Sequence, residues 1–205
     1  MRAVASRRPT RAELEAARDK LVPDVIADDL ELLFVGINPS LYSAALGQHF
    51  ARPGNRFWPA LHGAGFTPRL WSPPEQANLV EQGIGITNVV ARATARADEL
   101  SRDELVQGMQ RLTALAEQHR IVHIAFLGIT AYRTGCDRQQ AVIGPQAERI
   151  GNAAVSVLPN PSGLNAHYQL ADHIALLKAL RQRIRGSRAR ACGVACTGPA
   201  KGDRR

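Results

Sequence analysis

A chain of 205 residues, 45% hydrophobic and 21% charged, has the size and make-up of one globular domain with a single core. Twenty-six Lys and Arg against 18 Asp and Glu give a formal net charge of +8, a long-range attraction for polyanions. No run approaches the roughly 20 apolar residues of a membrane span, and the N-terminus lacks the apolar stretch of a signal peptide, so a cytoplasmic protein is expected.

The three cysteines, Cys136, Cys192 and Cys196, are odd in number and have no histidine at metal spacing beside them. Neither a disulfide framework nor a zinc site is supported, and no metal or cofactor is expected.

In chain order, residues 1–11 (MRAVASRRPTR) read as a basic, mobile arm, residues 12–185 as the single domain, and residues 186–205 (GSRARACGVACTGPAKGDRR) as a basic disordered tail too rich in Gly and small residues to fold alone. Thr10 and Glu13 have the spacing of a capping box and predict a first helix. LELLFVG (30–36) predicts a buried strand that stops at GINPS (36–40). In HFARPGNRFW (49–58), Asn55 starts a helix that carries Phe57 and Trp58 into the core, leaving Phe50 to stack on a planar ring. GIGIT (83–87) is a second strand; it holds two glycines of a dinucleotide fingerprint but no third. Ser101 and Glu104 form another capping box, leading into Leu105, Met109, Leu112 and Leu115 at helical spacing. IVHIAFLG (121–128) and AAVSVLP (153–159) are further strands, and Leu170, Ile174, Leu177 and Ile184 mark a last helix. Strands separated by helices require right-handed crossovers, so the expected fold is α/β, three layers with a central, mostly parallel four-stranded sheet.

Such sheets bind ligands beyond the carboxyl ends of their strands. The strands here end in GINPS, GITN, LG and LPNPSGLN, which places two Asn-Pro elements at one edge. Asparagine is a poor acid and base, but its carboxamide both accepts and donates. Asn38 therefore either closes an Asx-turn or fixes the position of a water without taking its proton. The second role suits a leaving group that departs easily, as a pyrimidine does when its N-glycosidic bond is hydrolysed. In NPSGLN (160–165) an apolar Leu164 stands between Gly163 and Asn165, either stapled to the next helix or free to wedge into a base stack.

From about residue 30 to residue 180 these stretches resemble, in order, the mismatch-specific uracil-DNA glycosylase and thymine-DNA glycosylase family of the uracil-DNA glycosylase superfamily. GINPS is similar to that family's water-activating motif, FARPGNRFW to the segment after it, and NPSGL to the loop that penetrates the duplex. The resemblance implies that Asn38 positions the hydrolytic water and Phe50 stacks on the flipped base. It implies that main-chain groups of Ile37 and Phe50, beside Gly36, read the pyrimidine edge. Leu164 becomes the wedge, on a DNA-binding loop with Asn160 and Ser162, while Gly163 and Asn165 offer backbone contacts to the widowed guanine. Two departures stand out. VVARATARADELS (89–101) stands where family members often carry an acidic residue and a proline near the first arginine, and AHY (166–168) follows the wedge loop where an arginine is usual. Asp98 stands where a relative has asparagine; it is either a second catalytic group, as base or electrostatic stabiliser, or the acidic start of the helix capped at Ser101.

The expected activity is thus a monomeric DNA-repair glycosylase that flips uracil, or another damaged or mismatched pyrimidine, out of a G:U or G:T pair in double-stranded DNA and leaves an abasic site. A non-catalytic nucleic-acid-binding α/β domain is the alternative. A nucleoside hydrolase is disfavoured, because no aspartate cluster for a sugar-binding metal is found in the sequence.

Overall fold

The structure is a computed structural model that describes residues 8–194. Its centre is a five-stranded sheet in the order β2-β1-β3-β5-β4, with β1 Leu32–Gly36, β2 Ile84–Asn88, β3 His123–Leu127, β4 Gly144–Ile150 and β5 Ala153–Leu158. Four of these are the expected strands, and β1, β2, β3 and β5 pair in parallel.

Every residue of β1, β2 and β3 is buried. Alternate side chains feed two cores. Leu32, Phe34, Ala125 and Leu158 pack with α3 (Phe57–Gly63) and α6 (Leu170–Val194), while Leu33, Val35, Ile124, Phe126 and Val155 pack with α4 (Arg102–Gln118) and α5 (Ile129–Gly135). Burial on both faces is what makes such strands read as unbroken apolar runs, and it gives the three-layer α/β/α arrangement.

The fifth strand corrects the expected four. β4 runs antiparallel to β5 at the sheet edge, and only its last residue, Ile150, is fully buried. It contains Pro145, which an edge strand tolerates. Its polar alternation hid it, although Gly151-Asn152 between it and β5 is a hairpin-turn signal.

Both predicted capping boxes are present. Thr10 caps α1 (Arg11–Glu15) and Ser101 caps α4, each with its glutamate reaching back. A third, Ser72 with Glu75, starts a 3-10 segment at Pro73–Gln82. α6 continues past residue 185, where the sequence places the end of the domain, as far as Val194. Residues 1–7 of the expected arm and 195–205 of the expected tail lie outside the described residues. Among the described residues no helix is long and apolar enough to cross a membrane.

His123 begins β3 inside the sheet, with Nε2 3.0 Å from Ser156 Oγ on β5. Burial pushes it from the ordinary 6.5 down to about 4, and His49 and His173 are also lowered by burial. A histidine depressed in the folded state contributes stability above its unfolded value and loses it as pH falls through the folded one. Stability should therefore drop by about 1–3 kcal/mol between pH 6.5 and 4, before ion-paired Glu75 and Glu104, each held at about 2, are protonated. Urea unfolding across this range is the measurement, and His123→Gln should flatten the slope.

Candidate functional site

The chain leaving β2 continues beside the chain leaving β1. Val89 N–H donates to Gly36 O (2.9 Å), Val90 N–H to Ile37 O (3.0 Å) and Thr94 N–H to Pro39 O (3.3 Å). The GINPS segment is thereby held by a strap, residues 89–94, after the sheet itself has ended. Asn38 is half-buried against that strap. Its Nδ2 donates to Thr94 Oγ1 (2.7 Å) and to Arg92 O (3.2 Å). Thr94 Oγ1 passes its own hydrogen to Arg96 O at 2.7 Å.

Both amide hydrogens of Asn38 are thus committed to framework. Its Oδ1 has no partner among the described residues, and Asn38 lines a cavity of about 430 Å³. Asn38 does not act as a simple turn cap: Ser40, not Asn38, caps α2 (Leu41–Leu46).

Arg92 fixes the strap from outside. Its guanidinium takes Glu104 in a two-pronged pair at 2.5 and 3.1 Å and Asp19 at 3.0 Å. Glu104 is also the reciprocal residue of the Ser101 capping box, so the start of α4 and the carbonyl that orients Asn38 are tied through one carboxylate.

A second asparagine faces the same cavity. Asn88 ends β2 in register with Gly36 and is 4% exposed. A Cβ on Gly36 would run into Asn88 Oδ1, so only glycine lets this carboxamide lie across the end of β1. Its Nδ2 is 3.4 Å from His49 Nδ1. His49 Nε2 is 3.0 Å from Pro23 O, which can only accept; Nε2 therefore carries the hydrogen and Nδ1 accepts from Asn88. Burial holds His49 below its ordinary value, in keeping with this neutral tautomer. Behind Asn88, Arg111 Nη2 donates to Asn88 O (2.6 Å) and Thr87 Oγ1 (3.1 Å), and its Nη1 pairs with Asp24.

Phe50 lies between these polar groups and the core. Its ring stacks at 4.3 Å and 30° on Phe57, and Phe57 stands edge-on to Phe34 and Trp58. The backbone of Phe50 is left-handed (φ 53°), a strained state that persists only where the surroundings impose it. Here they do: Gln76 Oε1 accepts from His49 N–H (2.7 Å), Trp58 Nε1 donates to His49 O (3.3 Å) and Ser43 Oγ accepts from Ala51 N–H (3.3 Å). Phe50 N–H itself has no partner among the described residues.

The loop after β5 completes the wall. Asn160 Oδ1 accepts from Ser162 N–H (2.9 Å), Asn165 Nδ2 donates to Asn160 O (3.0 Å) and Ser162 Oγ accepts from Leu164 N–H (3.3 Å). Knitted in this way, the loop presents Leu164 76% exposed and not stapled to the helix. Gly163 approaches the main chain of Gly54, where a Cβ would meet Gly54 O at 2.7 Å.

The fold therefore brings most of the residues singled out from the sequence together. Gly36, Ile37, Asn38, Phe50, Asp98, Asn160, Ser162 and Leu164 line one cavity, with Gly163 and Asn165 in the adjoining loop. Asp98 is not in the first turn of α4. It sits in a 3-10 turn, Ala97–Glu99, ahead of the Ser101 cap, exposed and held by Arg96 at 3.0 and 2.5 Å. Asn165 has both main-chain groups occupied, its N–H by Ser162 O and its O by Arg56. Sequence reasoning missed Asn88, His49 and Thr94. The final asparagine of GITN, at a strand end like Asn38, was the signal for the first. Among the described residues no cluster of His, Cys, Asp or Glu suits a metal ion.

The Gly36 contact makes a test independent of chemistry. Gly36→Ala should cost about 1–3 kcal/mol by overpacking, and Gly36→Ala with Asn88→Ala should lose less than the sum of the two single changes. Thermal unfolding of the four proteins measures the coupling.

The solution NMR structure of a candidate uracil DNA glycosylase from Methanosarcina acetivorans is similar in fold, with a TM-score of 0.53 and 21% identity over 80% of this chain and 98% of that one. Residues 23–183, which span all five strands and every lining residue of the cavity, match the Uracil DNA glycosylase superfamily, to which this chain therefore belongs.

Proposed function

We propose that the protein is a monofunctional, mismatch-specific uracil-DNA glycosylase that acts as a monomer in the cytoplasm. It flips a uracil, or thymine or another damaged pyrimidine, from a G:U or G:T mismatch in double-stranded DNA and hydrolyses the N-glycosidic bond. The observation that carries this reading is Asn38, which lines the cavity: both N–H groups are tied to the strap, while its oxygen has no partner among the described residues. A water accepted there is oriented by a fixed dipole at no reorganisation cost.

The other walls supply the remaining needs. The Phe50 ring is positioned to stack on the extruded base. The free Phe50 N–H is a donor for a pyrimidine oxygen, where negative charge gathers as the base leaves. Asn88, with its tautomeric partner fixed, offers an acceptor and a donor side by side, the pattern of the N3–H and O4 edge of uracil. Leu164 fills the space left in the stack, and the net charge of +8 draws the protein to the phosphate backbone.

Asp98 enters as a second catalytic group. Its carboxylate lies on the cavity wall and opposes positive charge developing on the sugar; action as a base requires release from Arg96, for which DNA phosphates compete.

A labelled G:U duplex treated with alkali after incubation should be cut at the abasic site; duplex binding without cutting would instead identify a binding domain. Asn38→Ala should retain duplex binding and release uracil about 100-fold more slowly or worse. Asp98→Asn should slow single-turnover release with little change in melting temperature. A native rate in that variant reduces Asp98 to a partner of Arg96.

A further inference from the structure

We propose that Arg56 is a positioning residue that sets the shape of the wedge loop, an inference that rests on the proposed role of Leu164. Arg56 reaches the loop through four hydrogen bonds. Its main-chain N–H donates to Pro161 O (2.8 Å), Nη1 to Ser162 O (2.8 Å) and Asn165 O (3.1 Å), and Nη2 to Gln169 Oε1 (3.3 Å). Among the described residues it makes no ion pair. A half-buried guanidinium whose donors go to loop carbonyls, and not to a carboxylate, is being used for its planar fork.

The two carbonyls that Nη1 joins flank Gly163 and Leu164. Bridging them closes the base of the turn from which Leu164 projects, and Gly163 is seated on Gly54 at the same place. The loop's own side-chain bonds are local; Arg56 supplies the connection to the rest of the fold, across more than a hundred residues of sequence. Arg56 also immediately precedes Phe57, the residue on which the Phe50 ring rests. A loop ordered before it meets DNA does not have to be ordered on binding, which is where the effect on function arises. Lysine, a point charge on a flexible stem, has no rigid plane that holds the two carbonyls and Gln169 Oε1 in one arrangement.

The experiment is a double-mutant cycle on single-turnover uracil release from a G:U duplex, with Arg56→Ala, Arg56→Lys, Leu164→Ala and the combinations. Both Arg56 variants should slow release about 10- to 100-fold, the cost of a misplaced group. Either one combined with Leu164→Ala should be no slower than Leu164→Ala alone, because the residue acts through the wedge. Hydrogen exchange at residues 163–166 should rise in Arg56→Lys while the amides of β1 and β3 stay protected, a pattern that general destabilisation does not give. A Leu164→Ala protein with the native rate would remove the wedge reading itself. Slow Leu164→Ala combined with native or additive Arg56 variants, or a lysine variant as active as the native enzyme, would overturn the role of Arg56 alone.

Discussion

The site depends on a missing methyl group. Parallel pairing sets Gly36 beside Asn88, and because Gly36 has no side chain the carboxamide of Asn88 lies over the end of β1. The backbone at that point delivers two asparagines to one cavity, Asn88 from the end of β2 and Asn38 from two residues beyond the end of β1. Any side chain at residue 36 would meet the carboxamide of Asn88 and push it away. On the proposed mechanism, the register of two buried strands, an ordinary feature of an α/β sheet, is therefore also the geometry of the chemistry.

Around that point, polar groups divide into those used to hold the structure and those left available. Asn38 gives up its nitrogen and keeps its oxygen; His49 gives one nitrogen to Pro23 O and the other to Asn88. Each commitment removes an alternative orientation, which is how a carboxamide, with ends of nearly equal shape, becomes a defined dipole. The strain at Phe50 has the same origin. Its left-handed backbone is sustained by bonds to its neighbours from Gln76, Trp58 and Ser43, contributed by three different parts of the chain. Such strain persists where the scaffold over-determines it, and the return is a Phe50 N–H with no partner among the described residues, on a residue that lines the cavity.

What could be read from the sequence follows from how local its cause is. The capping boxes at Thr10 and Ser101 are three-residue chemistry and were legible, as were LLFV and IAFL, whose burial on both faces leaves no polar interruption. β4 was not, because an edge strand buries little and its pattern resembles a loop. The length of α6 also escaped, since Arg and Ala favour helix in a segment whose composition reads as tail. At the site, Asn38, Phe50 and Leu164 were visible as residues out of keeping with their surroundings. The partnership of Asn88 with Gly36 was not, because register is a property of two strands together. Nor was Arg56, whose meaning lies in carbonyls more than a hundred residues away.

The distribution of charge fits the proposed reaction. The protein is strongly basic, yet the buried polar side chains that line the site, Asn88, His49, Ser43 and Thr94, carry no net charge, His49 being kept neutral by burial. Two arginines of the strap and the turn after it are engaged in pairs, Arg96 with Asp98 and Arg92 with Glu104 and Asp19. A pocket of neutral, fixed dipoles admits an uncharged pyrimidine without leaving a buried ion unpaired. Among the described residues it also has no buried acid to give a proton to the departing base. On the proposed mechanism, it therefore acts by orienting water and by donating hydrogen bonds to a base that can leave as a delocalised anion. Selectivity then follows from leaving-group stability as well as from shape: bases whose anions are poorly stabilised are left in place even when they fit.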